Sequence, residues 1–177
     1  MERRQKLLFS FFTVFFVFLV MPVTLFSDSV SFVLEIKDAS ATDPTVELVA
    51  EKGDIENTIV ACASLRVLRH VRSIIPELPT GFIISESTHT GYGFNVPERA
   101  IPVIDIIMPY WRIVRHHFID GCRRYSLPIY AWLAIFDEKD GPQNSIFARM
   151  AELGVDGLTT THPKELRAYL NSAEVLG

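Results

Sequence analysis

Val33-Leu34-Glu35-Ile36-Lys37 is the stretch on which the reading of this chain turns. In extended backbone, successive side chains point to opposite faces, so Val33, Glu35 and Lys37 share one face and Leu34 and Ile36 the other. Apolar residues on both faces suit a strand of a parallel sheet covered on two sides. The face of Val33 turns polar at its carboxyl end. A carboxylate in such a strand is costly to bury unless it is paired or coordinates a metal. Two readings follow: Glu35 and Lys37 pair with each other at the rim, or Glu35 serves an ion.

Outward from this stretch, short runs rich in β-branched residues alternate with helical patterns, the signature of βα units. Strands are expected at 30–36, 57–62, 81–85, 103–108, 129–135 and 155–160. Asp43-Pro44 opens a helix that Gly53 closes. Ser64 caps another, with Leu65, Leu68, Val71 and Ile75 at helical spacing and Pro76 as its stop. Trp111 to Tyr125 reads as an amphipathic helix, as do Asn144 to Leu153, ended by Gly154, and Pro163 to Leu170. Glu86 to Arg99 reads as a loop, because Pro97 disfavours a long helix there. Six such units make either an open doubly wound sheet or a barrel, and in both the chemistry belongs at the carboxyl ends of the strands.

Candidate site residues sit at those ends: Glu35, Lys37, Ser85, Trp132 and His162, with His89 in the loop after the third strand. A tryptophan in a strand is usually core, and a lone loop histidine is usually solvated. His116 and His117 are adjacent in a helix and so face different directions, which speaks against a shared metal. Arg123 and Arg124 at that helix's end complement its dipole. Gly91-Tyr92-Gly93 lacks the third glycine and the following helix of a phosphate-binding loop.

The chain has 177 residues, 49% of them hydrophobic, and a net charge of −4. Seven of the 13 phenylalanines fall in the uncharged run from Leu7 to Ser27, behind Arg3, Arg4 and Lys6. Such a run can cross a hydrocarbon core of about 30 Å as a helix. The exit at Val23 to Asp28 is a poor cleavage site, so residues 1–27 read as an uncleaved hydrophobic helix and membrane anchor, with a cleaved signal and a secreted product as the alternative. The basic residues then stay inside, placing a single-pass protein's remaining domain, 30–172, on the outer side of the membrane. The chain after Lys6 carries 14 basic and 20 acidic side chains, the wrong sign for a general nucleic-acid binder. Cys62 and Cys122 form no CxxC, so a zinc site and a disulfide framework both lack support.

Several stretches, in order, resemble the later part of glycerophosphodiester phosphodiesterases: Val33 to Lys37, Leu68-Arg69-His70-Val71-Arg72 with Pro76 to Gly81, Tyr130-Ala131-Trp132, and Gly154 to Thr160. The resemblance covers roughly residues 30–170. It implies an α/β fold, a TIM-type (β/α) barrel, and phosphoric diester hydrolysis yielding an alcohol and glycerol 3-phosphate with a divalent cation, Ca²⁺ or Mg²⁺. By the same resemblance Glu35 is a metal carboxylate, Lys37 lies near the phosphate and Trp132 walls the substrate pocket.

The family's His-Arg-Gly and Glu-x-Asp motifs, which supply its acid/base histidines and most metal ligands, have no counterpart between Met1 and Leu34. Cys62-Ala63, Leu133, Ile135 and Thr161 replace the family's Ser-Phe, Thr, Asn and Asp. The expectation is therefore an incomplete barrel of about six βα units, lacking the first two strands and catalytically incomplete. It would bind a glycerophosphodiester, be completed in trans, or act as a non-catalytic binding or interaction module. Its open edge calls for cover, by a protein partner or by the apolar block itself.

Overall fold

The computed structural model describes residues 17–19, 21–22, 32–52, 55–85, 98–134 and 143–174. All six expected strands are present among them. β3 (Phe32–Glu35), β4 (Thr58–Cys62), β5 (Thr80–Ile84) and β6 (Ile106–Pro109) run parallel and in that order, as do β7 (Tyr130–Trp132) and β8 (Gly157–Thr159). Register follows Glu35↔Ala61, Cys62↔Phe82 and Gly81↔Ile106, and bridges at Ile107↔Ile129 and Tyr110↔Trp132 link β6 to β7.

The edges expected to be open are occupied. β1 (Val17–Leu19) lies antiparallel on β3, with Phe18 opposite Val33, and β2 (Met21–Pro22) lies antiparallel on β8, with Met21 opposite Leu158. The spatial order is thus β1-β3-β4-β5-β6-β7-β8-β2. This corrects the expectation of a hydrophobic amino-terminal helix wherever the block is described: those five residues are strand. Unpaired backbone groups at the edges of β3 and β8 are a template for pairing, and Val, Phe and Leu suit a buried strand as well as an apolar helix. The rest of the block lies outside the described residues. Among the described residues no helix is long and apolar enough to cross a membrane.

The alternation read from Val33 to Lys37 sorts the core into two layers. Val33, Ala61, Ile106 and Met108 form one buried layer, with Ile83, Tyr130 and Trp132 against them. Ile36, Val60, Phe82 and Ile107 point outward to the helices. A Cβ at Gly81 would lie 2.9 Å from the Met108 sulfur, so a larger residue there would make that flexible side chain shift.

The helices are α1 (Thr42–Lys52), α2 (Leu65–Ile74), α3 (His116–Arg124), α4 (Gln143–Leu153) and α5 (Pro163–Glu174). α2 buries Leu65, Leu68 and Val71 as its spacing dictates. α1 begins one residue before Asp43, after a 3-10 turn over Ala39–Ala41, and the cap at that entry is Asp38, whose carboxylate accepts from the Ser40 N–H. α3 begins later than expected: Trp111–Ile113 forms a 3-10 turn that buries Trp111 and Ile113, and Arg115 is extended. Phe118 and Phe147 are among the fully buried side chains, and truncating either to alanine is worth about 3–5 kcal/mol.

Two aspartates pin strands at the end opposite the polar rim. Asp105 accepts from the Thr80 N–H at 2.8 Å and pairs with Arg72 at 2.6 Å. Asp156 accepts from the Ile129 N–H at 2.8 Å and takes both arms of the Arg123 guanidinium at 3.0 and 3.1 Å. Arg123 thus serves a specific ion pair, and it also donates to the Gly154 carbonyl at 2.7 Å.

Candidate functional site

At the carboxyl ends of the strands a cavity of about 150 Å³ opens above the inner layer. Its walls are apolar: Val33, Ile83, Met108, Leu133 and the face of Trp132. Glu35, Lys37 and Thr159 supply its polar groups. Each comes from the last residue of a strand or just beyond it, where alternation turns the side chain inward.

Glu35 and Lys37 are two residues apart on the inward face, and their charged groups meet at 2.8 Å. The Glu35 side chain is 18% exposed and that of Lys37 is 55% exposed, so the carboxylate lies within the mouth and the ammonium reaches the rim. Of the two readings of Glu35, the rim pair is the one formed. Trp132 is held from two sides. Its Nε1–H donates to the Ile84 carbonyl at 3.3 Å, and its ring lies 4.6 Å from that of Tyr110. Thr159 stands opposite Trp132 in the β7–β8 register and is 2% exposed, and its Oγ1 has no hydrogen-bond partner among the described residues. A buried hydroxyl without a partner costs about 1–3 kcal/mol and calls for a partner such as a water or a ligand group.

Cys62, at the end of β4, is buried, and burial pushes its thiol up, with the Glu35 charge adding to the effect. A thiol so held is protonated near neutrality and makes a poor nucleophile.

The structure brings Glu35, Lys37 and Trp132 together, and neither Ser85 nor His162 lines that cavity. His162 lies 3.9 Å from Glu165, and its backbone N–H donates to the Thr160 hydroxyl, so its ring is outside the pocket lining. His116 and His117 are at the first turn of α3 rather than mid-helix, beside Arg115 and Arg149 in a separate, wider groove. His89 lies outside the described residues. Sequence reading missed Thr159. Its pairing with Trp132 across β7 and β8 is the signal that finds it.

A divalent hard cation takes six or more oxygen ligands. The lining offers one carboxylate, already engaged by a lysine, and one hydroxyl, and among the described residues no three of His, Cys, Asp and Glu converge. These residues do not fit a calcium or magnesium site.

No protein-family model matches the sequence, and no curated protein is similar to it at the sequence level. Solved structures are similar in fold. One from Silicibacter pomeroyi, described as a glycerophosphoryl diester phosphodiesterase, superimposes with a TM-score of 0.70 at 18% identity over 82% of this chain and 51% of its own length. A glycerophosphodiester phosphodiesterase from Parabacteroides distasonis gives 0.58 at 14% identity, over 80% and 57%. An Oleispira antarctica phosphodiesterase, determined in complex with the product sn-glycerol-3-phosphate, gives 0.57 at 11% identity over 77% and 53%. The chain therefore resembles the glycerophosphodiester phosphodiesterase barrels in fold, and it spans about half the length of those structures.

Proposed function

We propose that this chain is a glycerophosphodiester phosphodiesterase-like barrel that holds a glycerophosphate head group at the mouth of its strand ring and does not cleave it unaided. The observation that carries the reading is the Thr159 hydroxyl, buried and without a partner among the described residues, at the same apolar cavity whose rim bears Lys37. A cavity of this volume admits a group of roughly six heavy atoms, the size of a glycerol unit. Thr159 would bond one of its hydroxyls, and Lys37 would attract the phosphate left at the rim. The product-bound neighbour of the same fold supports this choice of ligand class.

Cleavage needs a group that takes or gives a proton within hydrogen-bond reach of the reacting oxygens. The described lining contains no histidine, and its carboxylate is spent on Lys37. Completion in trans by a partner's strands is the weaker alternative, because β1 and β2 already cover the edges of β3 and β8. Residues 1–27, basic then apolar, support a place at a membrane surface, which sedimentation with membranes after a carbonate wash would test.

The test of the proposal is a turnover assay on the full chain with glycerophosphocholine and Ca²⁺ or Mg²⁺. No release of glycerol 3-phosphate is expected. Sustained release that disappears in Glu35→Ala would overturn it.

A further inference from the structure

We infer that Lys37 is the resident cation of this site, occupying the carboxylate that a divalent ion would require, so that the pocket takes its phosphate ester without metal. The inference rests on the proposed function for the identity of the ligand, and on the geometry of the described residues for the exclusion of the ion.

Glu35 and Lys37 are fixed on one face by strand geometry. The Ile36 N–H donates to the Ala61 carbonyl at 2.8 Å, which carries the β3–β4 ladder past Glu35 and holds the backbone between the two side chains extended. The backbone thus sets both side chains on one face, within reach of the 2.8 Å contact. A divalent ion arriving at Glu35 must either expel the ammonium or settle a few ångströms from it. The first loses a charge-assisted hydrogen bond in a half-enclosed mouth, and the second sets like charges against each other in a medium less polarisable than water.

Nothing else in the described lining compensates. Around Glu35 stand Val33, Ile83, Met108 and Leu133, which offer a hard cation no oxygen, and the Trp132 N–H is a donor already used by Ile84. Thr159 is a neutral hydroxyl, suited to hydrogen-bonding a ligand. An anionic ligand meets a different situation. Lys37 has three N–H donors, one of them given to Glu35, and the side chain is more than half exposed, so it can hold the carboxylate and a phosphate oxygen at once. Glu35 then positions the ammonium, as a metal's carboxylate ligands would position an ion.

The experiment is calorimetric titration of CaCl₂ and of MgCl₂ into the full chain and into Glu35→Gln, with glycerol 3-phosphate titrated separately in EDTA and in calcium buffer. Neither metal should saturate the wild-type chain below about 1 mM, the weak end of dedicated calcium sites. Glycerol 3-phosphate should bind with the same affinity, within about twofold, in both buffers. Metal binding below that concentration that Glu35→Gln abolishes would overturn the inference, as would a tenfold or larger tightening of glycerol 3-phosphate by calcium. Metal binding that survives Glu35→Gln lies elsewhere and leaves Lys37 in place. Failure of glycerol 3-phosphate to bind in either buffer counts against the functional reading, while the metal titration still decides the inference.

Discussion

Trp132 and Thr159 stand opposite each other in the parallel pairing of β7 and β8, one with its N–H satisfied by Ile84 and the other with its hydroxyl unsatisfied among the described residues. A protein that keeps an unpaired hydroxyl in an apolar cavity gives up stability there. Thr159→Val keeps the shape and removes the polar atom. It is expected to stabilise the chain by about 1 kcal/mol or more in urea denaturation and to weaken glycerol 3-phosphate binding about tenfold. A variant less stable than the wild type would show that the hydroxyl is satisfied within the fold.

The Cys122 thiol is pushed up to about 12, chiefly by burial. Below pH 9 the thiol stays protonated in folded and unfolded chains alike and contributes no pH dependence. Above pH 9 the unfolded chain releases the proton while the folded chain keeps it up to about pH 12, so stability falls as pH rises through that window, by at most about 1.4 kcal/mol per unit. Cys122→Ala loses packing at every pH but lacks this slope. The difference in urea midpoint free energy between the two proteins should therefore shrink between pH 8 and pH 11, and a constant difference would refute the assignment.

β1 and β2 place Val17–Leu19 and Met21–Pro22 along the outer edges of β3 and β8. Removing residues 1–22 uncovers the edges of β3 and β8, and exposed edges pair with other chains. The shortened protein is expected to unfold at lower urea than the full chain and to self-associate in sedimentation velocity. Unchanged stability and a monomeric profile would mean that the segment is an appendage to a ring stable without it.

The parallel strands were legible because buried β-branched runs separated by helical periodicity have few other solutions. β4 was read at 57–62 and forms at 58–62. The Glu35–Lys37 pair was legible too, since alternation alone sets both on one face. The apolar block was not, because a run such as Val17-Phe18-Leu19 satisfies a buried strand and an apolar helix equally, and only the vacant edges of β3 and β8 decide between them. The start of α3 was misplaced because Trp111 and Ile113 are buried through a 3-10 turn, a use of apolar residues that mimics helical spacing. Thr159 escaped notice for a different reason. Whether a hydroxyl finds a partner depends on the register of two strands brought together by the fold, not on its neighbours in sequence.

Lys37 and Thr159 are proposed to frame a site for a glycerophosphate head group. The most direct test is calorimetric titration of glycerol 3-phosphate in EDTA into the full chain and into Lys37→Met, with circular dichroism confirming that the variant is folded. The account predicts saturable binding by the wild-type chain and an affinity at least tenfold lower in Lys37→Met. Absence of saturation in the wild type, or equal affinities in the two proteins, would contradict it.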